Sequence, residues 1–322
     1  MARRNEILGR PRVNPPISRG EMLDISVIIA CFNGAATLPE TLDSLVTQQW
    51  SRPWEIVLAD NGSTDASVAI FEDYARRHPE IGMRVVEAGQ RKGKAYALNT
   101  AIPAADGRAL LVVDADDTVA PGWLAAMGAG LDRHAFVAAR MDIRALNPDW
   151  TLAQRRQAQE HGLGRLPHAP DCPQAAGATQ GFRREDFDTL GGFDTAFTCL
   201  DDIDFCVRAY LAGFTLQFVP EAVVNYRFRD DLAGIYRQGY AYSYDRALLR
   251  RRYAPEPMLA PGPWLALGRR IARLQLRRLA WALRRQPPSL SEQARFHRNL
   301  GYAMGQLSGA LAFRVAPPRP SA

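Results

Sequence analysis

The chain has 322 residues, 47% hydrophobic and 23% charged, ordinary globular values that allow one large α/β domain or one domain with an appendage. No run approaches the roughly 18 uninterrupted apolar residues of a membrane span, and the positive start MARRNEILGRPRVNPP has no apolar h-region behind it, so export is not expected. The formal charge of +6 is concentrated in one place: Arg246 to Arg285 holds eleven arginines and one acid, Glu256, a local +10 that leaves −4 for the rest.

Residues 1–23 are polar, punctuated by Pro11, Pro15 and Pro16, and read as a loose leader. Ile25–Phe32 is a short apolar run rich in β-branched residues, the pattern of a strand buried on both faces. Asn33-Gly34 ends it, and a helical stripe runs from Leu38 to Gln49. Trp54–Ala59 is a second buried strand, ended by Asp60-Asn61-Gly62-Ser63. The next helix spans Asp65 to His78, with Ser63 or Thr64 as its cap and Pro79 as its stop. Met83–Glu87 is a third strand, Ala95–Ile102 a helix, and Ala109–Val113 a fourth strand that runs into Asp114-Ala115-Asp116-Asp117.

This alternation predicts an α/β fold with a mostly parallel sheet and helices on both faces. Ligands of such sheets bind at the carboxyl ends of the strands. Here those ends carry Asn33, Asp60-Asn61 and Asp114-Asp116. The stretch 134–200 is less regular, and Gly162–Gly181 reads as loops. A helix follows from Asp201 to Ala212, with Gly213 as C-cap, then strands at Phe214–Val219 and Ala222–Tyr226. Beyond Asp231 the pattern is helical and Arg-rich, broken at Pro255–Pro263 and Pro287-Pro288.

Two carboxylates at Asp114 and Asp116, just past a buried strand, suit a hard divalent cation. The alternative is a solvated turn in which Asp117 caps the following helix. Lys92 and Lys94 are the only lysines among 40 basic residues, and they sit with Gly93 just before a helix, an arrangement that suits phosphate. It is not a P-loop, because Gly89 to Gly93 is one residue short and Ala95 stands where Ser or Thr is needed. Asn33-Gly34-Ala35-Ala36 lacks the three glycines of a dinucleotide site. The acids of Asp201-Asp202-Ile203-Asp204 either favour a helix N-terminus or face a ligand, and Asp204 is spaced to pair with Arg208. The five histidines form no HxH or HExxH cluster, and the four cysteines form no CxxC pair, as expected of reduced thiols in a cytoplasmic protein.

Six blocks in this order resemble the family 2 inverting glycosyltransferases of GT-A fold: Ile25–Asn33 with Leu42–Gln49, Glu55–Asp65, Lys92–Asn99, Leu111–Asp117, Gly191–Asp194, and Asp201–Asp204 with Arg208 and Gly213. The resemblance implies a GT-A catalytic domain over residues 24–230, followed by an Arg-rich helical extension over 231–322. It implies a UDP- or GDP-sugar donor. Asn33, Asp60 and Asn61 would lie around the nucleoside, Lys92 and Lys94 at the diphosphate, and Asp114 at the ribose or the metal. Asp116 would bind Mg²⁺ or Mn²⁺. Gly192, Phe193 and Asp201 would lie on the acceptor side, and Asp202 would be the general base. Three departures stand out: Ala30 replaces the usual Pro, Asp201 replaces Glu, and Val224–Arg229 lacks the His that often completes the metal site. Arg227 or Arg229 could contact the diphosphate instead. The rival readings are an inactive nucleotide-binding or scaffold protein of the same fold, and a sugar-nucleotide pyrophosphorylase. The latter wants a Gly-rich loop where only Gly34 is found.

The acceptor would be a hydroxyl, lipid-linked or in the cell envelope. In Trp264–Arg285, Leu267, Ile271, Leu274 and Trp281 alternate with paired arginines, which suits either a helix packed on the catalytic domain or a peripheral helix on an anionic inner-membrane surface, with Trp264 and Trp281 at the interface. No RNA- or DNA-binding motif accompanies the charge, so no nucleic-acid partner is expected.

Overall fold

The computed structural model describes residues 24–152, 159–166, 169–254, 258, 261–283 and 286–318. The leader at 1–23 lies outside them. The packing divides the chain into two units, one of residues up to 145, 157–195 and 201–226, the other of residues 146–156, 196–200 and 227 onward.

In the first unit, β1 (Ile25–Cys31), α1 (Leu38–Val46), β2 (Trp54–Asp60), α2 (Ser67–Arg77), β3 (Gly82–Glu87), α3 (Lys94–Ala101) and β4 (Ala109–Asp114) follow the expected alternation. Next come β5 (Thr118–Val119), α4 (Trp123–Arg133) and β6 (Phe136–Asp142). The short α5 (Asp149–Leu152) belongs to the second unit. The first unit resumes with β7 (Gly164–Leu166), β8 (Ala169–Gln174), β9 (Gln180–Arg183), α6 (Arg184–Leu190), α7 (Asp201–Leu211) and β10 (Leu216–Asn225). Eight strands make one sheet in the order β3-β2-β1-β4-β9-β6-β10-β5, while β7 and β8 pair separately. The sheet is mostly parallel; β9 runs antiparallel to β4 and β6, and β5 antiparallel to β10.

The two-residue period of the strands explains both layers. Val27, Ile29, Ile56, Leu58, Leu111 and Val113 bury against Leu42, Phe71, Trp123 and Leu124. Their neighbours Ile28, Val57, Leu110 and Val112 bury with Leu98, Phe182, Phe187, Phe193 and Phe205 on the other face. Helices therefore cover both faces, and only the strand ends are left to meet solvent or ligand.

Several elements depart from the expectations. Gly162–Gly181, read as loops, contains β7, β8 and a single 3₁₀ turn at Gly177–Thr179, and leads into β9 at Gln180. Strand β9 carries only one large apolar residue, and Gly181 stands there because a Cβ would come within 2.5 Å of Leu111 Cδ2. The expected strands 214–219 and 222–226 are one strand, β10, whose register shifts between Val219 and Val223. Pro220 lies in the gap and cannot donate to a ladder. Helix α2 starts at Ser67, and Asp65 rather than Ser63 or Thr64 receives its first N–H, with Ser67 N 3.0 Å from Asp65 Oδ1. Asp117 caps no helix, since α4 begins six residues later after Gly122.

In the second unit, α8 (Leu232–Tyr253), α9 (Pro261–Ala282) and α10 (Leu290–Phe313) follow one another. Part of the break expected at Pro255–Pro263 lies outside the described residues. Helices α8 and α10 pack backbone to backbone. A Cβ on Gly301 would run into the Tyr236 carbonyl oxygen, and one on Gly305 into that of Tyr240. Along α8 the rings of Tyr236, Tyr240 and Tyr244 follow at 6.5 and 6.1 Å. Helix α9 joins α10 through Leu267, Leu274, Ile271 and Trp281 around Phe296 and Ala303. Buried Asp245 of α8 gathers the segment 198–200, accepting from Thr198 N (2.8 Å), Thr198 Oγ1 (2.9 Å), Cys199 N (2.8 Å) and Leu200 N (3.2 Å).

Gly305→Ala should destabilise the second unit by about 1–3 kcal/mol, because the new methyl meets backbone that cannot move aside locally. Gly268→Ala, with nothing within 4 Å of its Cβ, should instead be neutral or stabilising by up to ~1 kcal/mol. Urea unfolding of the two variants checks the contrast.

Candidate functional site

The carboxyl ends of β1, β2 and β4 meet at one edge of the first unit. After β1 the chain turns at Asn33, whose φ of 52° lies in the left-handed region that Asn tolerates. Asn33 Oδ1 accepts from Thr64 N at 2.8 Å, tying the β1 and β2 ends together. Exposed Phe32 carries the Lys92 ammonium 5.0 Å above its ring. After β2, Asp60 accepts from Ser63 N at 3.1 Å and borders a cleft of about 400 Å³, shared with Gly62, Val68, Val85, Glu87 and Gly89. After β4, carboxylate oxygens of Asp114, Asp116 and Asp117 lie within 4.8 Å of one another. Three hard oxygen donors at that spacing fit a divalent cation of the Mg²⁺ or Mn²⁺ type.

Lys94 opens α3, where Gly93 at φ 132° makes the turn. Its ammonium is bonded to Asp114 Oδ1. Burial by itself would lower its pKa, but the carboxylates of Asp114, Asp201 and Asp202 override that and raise it above the ordinary lysine value. Asp202, at the start of α7, is held by two backbone donors, Gly177 N to Oδ2 and Ile203 N to Oδ1, each at 2.7 Å. Burial first, and the neighbouring Asp201 second, push its pKa up to about 7; Lys94 and the two N–H groups act in the opposite direction. A carboxylate poised near neutrality beside a cation and an acidic cluster can exchange a proton with a ligand hydroxyl.

Other expected site residues serve the scaffold. The Asn61 side chain donates to Ala88 O (2.6 Å) and Arg91 O (2.8 Å) and accepts from Gly93 N (2.8 Å), fixing the loop that presents Lys92 and Lys94. Phe193 is buried among Phe182, Phe187 and Phe205. Its backbone is clamped by Asn99, which donates to Phe193 O (2.7 Å) and accepts from Phe193 N (2.9 Å). A Cβ on Gly192 would meet Asn99 Oδ1 at 2.8 Å. Asp204 is buried and bonded to Arg208 (2.8 Å), which also donates to Leu190 O and Gly192 O. Asp201 is buried too, and Arg227 and Arg229 fall in the second unit.

Three contributors escaped the sequence reading. Asp117 completes the acidic trio. Gly177 leaves the Asp202 and Lys94 side chains close to the backbone, since a Cβ there would lie 3.2 Å from Asp202 Cβ and 3.3 Å from Lys94 Nζ. Gln180 Nε2 donates to Ala175 O (2.9 Å) and the Asp202 carbonyl (3.3 Å), holding the first turn of α7. Gly177 and Gln180 lay in the stretch read as loops. The signal for Asp117 was its adjacency to Asp116.

The model of Glycosyl transferase family 2 matches residues 26–191, and that of Glycosyl transferase family group 2 matches residues 109–284. EpsE of Bacillus subtilis, named as a glycosyltransferase, is 26% identical over 234 residues, covering 70% of this chain and 80% of its own. The PGL/p-HBAD biosynthesis glycosyltransferase of Mycobacterium bovis is 31% identical over 191 residues, covering 58% of this chain and 69% of its own. In fold, the mannosyltransferase PcManGT from Pyrobaculum calidifontis, solved with GDP-Man and Mn²⁺, superposes with a TM-score of 0.59 at 23% identity, covering 95% of this chain and 90% of its own. The fold is GT-A, and the chain is a glycosyltransferase that belongs to glycosyl transferase family 2.

Proposed function

We propose that this enzyme moves a sugar from a UDP- or GDP-sugar, with inversion, to an acceptor hydroxyl during synthesis of envelope polysaccharide, glycolipid or a related glycoconjugate. In this reading residues 24–230 form the catalytic region and 231–322 the helical extension. The observation that carries it is the placement of Asp202, with a pKa near 7, beside Lys94, which is itself bonded to Asp114 of the acidic trio. The GDP-Man and Mn²⁺ named for the fold neighbour support the donor class.

Each residue then has a task. Asp60 and Asn33 border the nucleoside, and Asn61 beside them fixes the 88–93 loop that carries Lys92. Lys92 and Lys94 bring positive charge to the diphosphate. Asp116 and Asp114, with Asp117, would hold the divalent cation. When bound, that cation neutralises the charge developing on the nucleoside diphosphate as it leaves. Asp202 accepts the proton of the acceptor hydroxyl as the new glycosidic bond forms. Inversion needs no carboxylate nucleophile. Asp204, the next acid along α7, is committed to Arg208.

A panel of nucleotide sugars, followed by nucleoside diphosphate release, tests the reading. Release should appear with Mn²⁺ or Mg²⁺, vanish in EDTA, and be lost in Asp116→Ala together with nucleotide affinity measured by calorimetry. No release from any donor, or unchanged affinity in EDTA, would sink the donor and metal assignments respectively.

Asp202→Asn should lower kcat by roughly 10²–10⁴-fold while nucleotide affinity stays within a few fold, since the amide keeps the shape and cannot take the proton. In the parent, kcat/KM should rise with pH through about 7 as Asp202 ionises. Stability should move the other way. The folded state keeps the Asp202 proton from its ordinary 3.8 up to about 7, so this group's contribution falls as pH rises across that window. Urea unfolding should therefore show Asp202→Asn gaining on the parent between pH 4 and pH 8, with a constant offset below pH 4 from the one backbone N–H that the amide cannot accept. A pH-independent difference would remove the raised pKa from the account.

A further inference from the structure

Helix α9 has two apolar faces, and only one is covered. Leu267, Ile271, Leu274 and Trp281 point into the contact with α10. Leu265, Leu276 and Leu279, with Leu283 just past the helix end, are 61%, 66%, 63% and 88% exposed. At 3.6 residues per turn these four fall within about 60° of one another, nearly opposite Leu267 and Leu274. Exposed Ala272 lies in the same stripe, and Arg269, Arg273 and Arg277 run along one border of it. Pro261–Ala282 contains five arginines and no acid.

We propose that this face of α9 binds an anionic lipid surface, with the helix lying in the plane of the interface, its leucines among the acyl chains and its arginines at the headgroups. The pairing of an uncovered leucine stripe with unopposed positive charge selects this occupant. A second copy of the chain would bring two α9 helices of like charge together. A nucleic acid would pay nothing back for the leucines. The tryptophans expected at the interface do not supply the anchor: the Trp281 ring packs 5.0 Å from that of Phe296, and the Trp264 indole N–H donates to Met258 O at 2.6 Å. The stripe deepens the reading in which the acceptor is lipid-linked, but the binding needs neither donor nor acceptor. Among the described residues no helix is long and apolar enough to cross a membrane.

Co-sedimentation of the full chain with phosphatidylglycerol-containing vesicles and with pure phosphatidylcholine vesicles tests the inference. The parent should sediment with the anionic vesicles. Replacing Leu265, Leu276, Leu279 and Leu283 together by Gln should weaken that by about tenfold or more, while Met at the same positions keeps it. The exposure of these side chains makes both variants foldable. Arg269→Gln with Arg273→Gln should remove mainly the salt-sensitive part of binding. The inference is overturned if the parent stays in solution with anionic vesicles at low salt, or if the Gln variant binds as well as the parent. It is also overturned if sedimentation velocity shows a dimer that the Gln variant dissociates. Nucleoside diphosphate release from the same preparations keeps a failure here distinct from a failure of the donor assignment.

Discussion

The ammonium of Lys94 answers Asp114 from one strand end and Asp201 and Asp202 from the head of α7. Two unit charges 4 Å apart interact by about 4 kcal/mol at an effective dielectric constant near 20. Without the lysine, the β4 end and the α7 start would present like charges to each other. The position of the lysine makes the point sharper. It is the first residue of α3, where the helix end already carries partial positive charge and a cation is disfavoured by roughly 0.3–1 kcal/mol. Only the facing carboxylates make that placement favourable. The glycines around it follow from the same crowding: Gly93 supplies the turn into α3, and Gly177 lies where a Cβ would crowd both Lys94 and Asp202.

The first half of the fold was legible because each strand there is buried on both faces and ends in a polar residue. Ile25–Cys31, Trp54–Asp60 and Ala109–Asp114 announce themselves as β-branched runs with acids or amides behind them. Strand β9 does not. It is four residues long, and its position at the centre of the sheet depends on Gly181 lacking a side chain beside Leu111, which is a fact about a neighbour far away in sequence. The site was legible in its residue types and less so in its division of labour. Asn33 and Asn61 look equivalent on paper, yet Asn61 spends its whole amide on backbone groups of the 88–93 loop. Asp202 and Asp204 look equivalent too, yet Arg208, one helical turn on, claims the latter, while two backbone N–H groups hold the former.

The second unit is held together differently from the first. The sheet unit buries large side chains in layers, whereas α8 and α10 gain their contact from closely apposed backbone, with Gly239, Gly301, Gly305 and Gly309 all against main-chain atoms of the opposite helix. Periodicity of apolar residues does not report such a seam, because the residues that make it contribute no side chain. Helix α9 has the opposite character: a handful of apolar side chains fasten it to α10, and the rest of its surface is leucine and arginine.

The use of arginine almost everywhere else leaves Lys92 and Lys94 as the only side-chain amines in the chain. Guanidinium groups and primary amines react with different reagents. Among side chains, an acylating or reductive-alkylating reagent therefore has one loop to act on, with exposed Lys92 ahead of Lys94, whose nitrogen is engaged by Asp114. Every amine-coupled dye, cross-linker or solid support attached to a side chain would sit where α3 begins, and the arginine-rich helices would pass through the same treatment unmarked. The chain thus carries, in its choice between two basic residues, a chemical address for its own site.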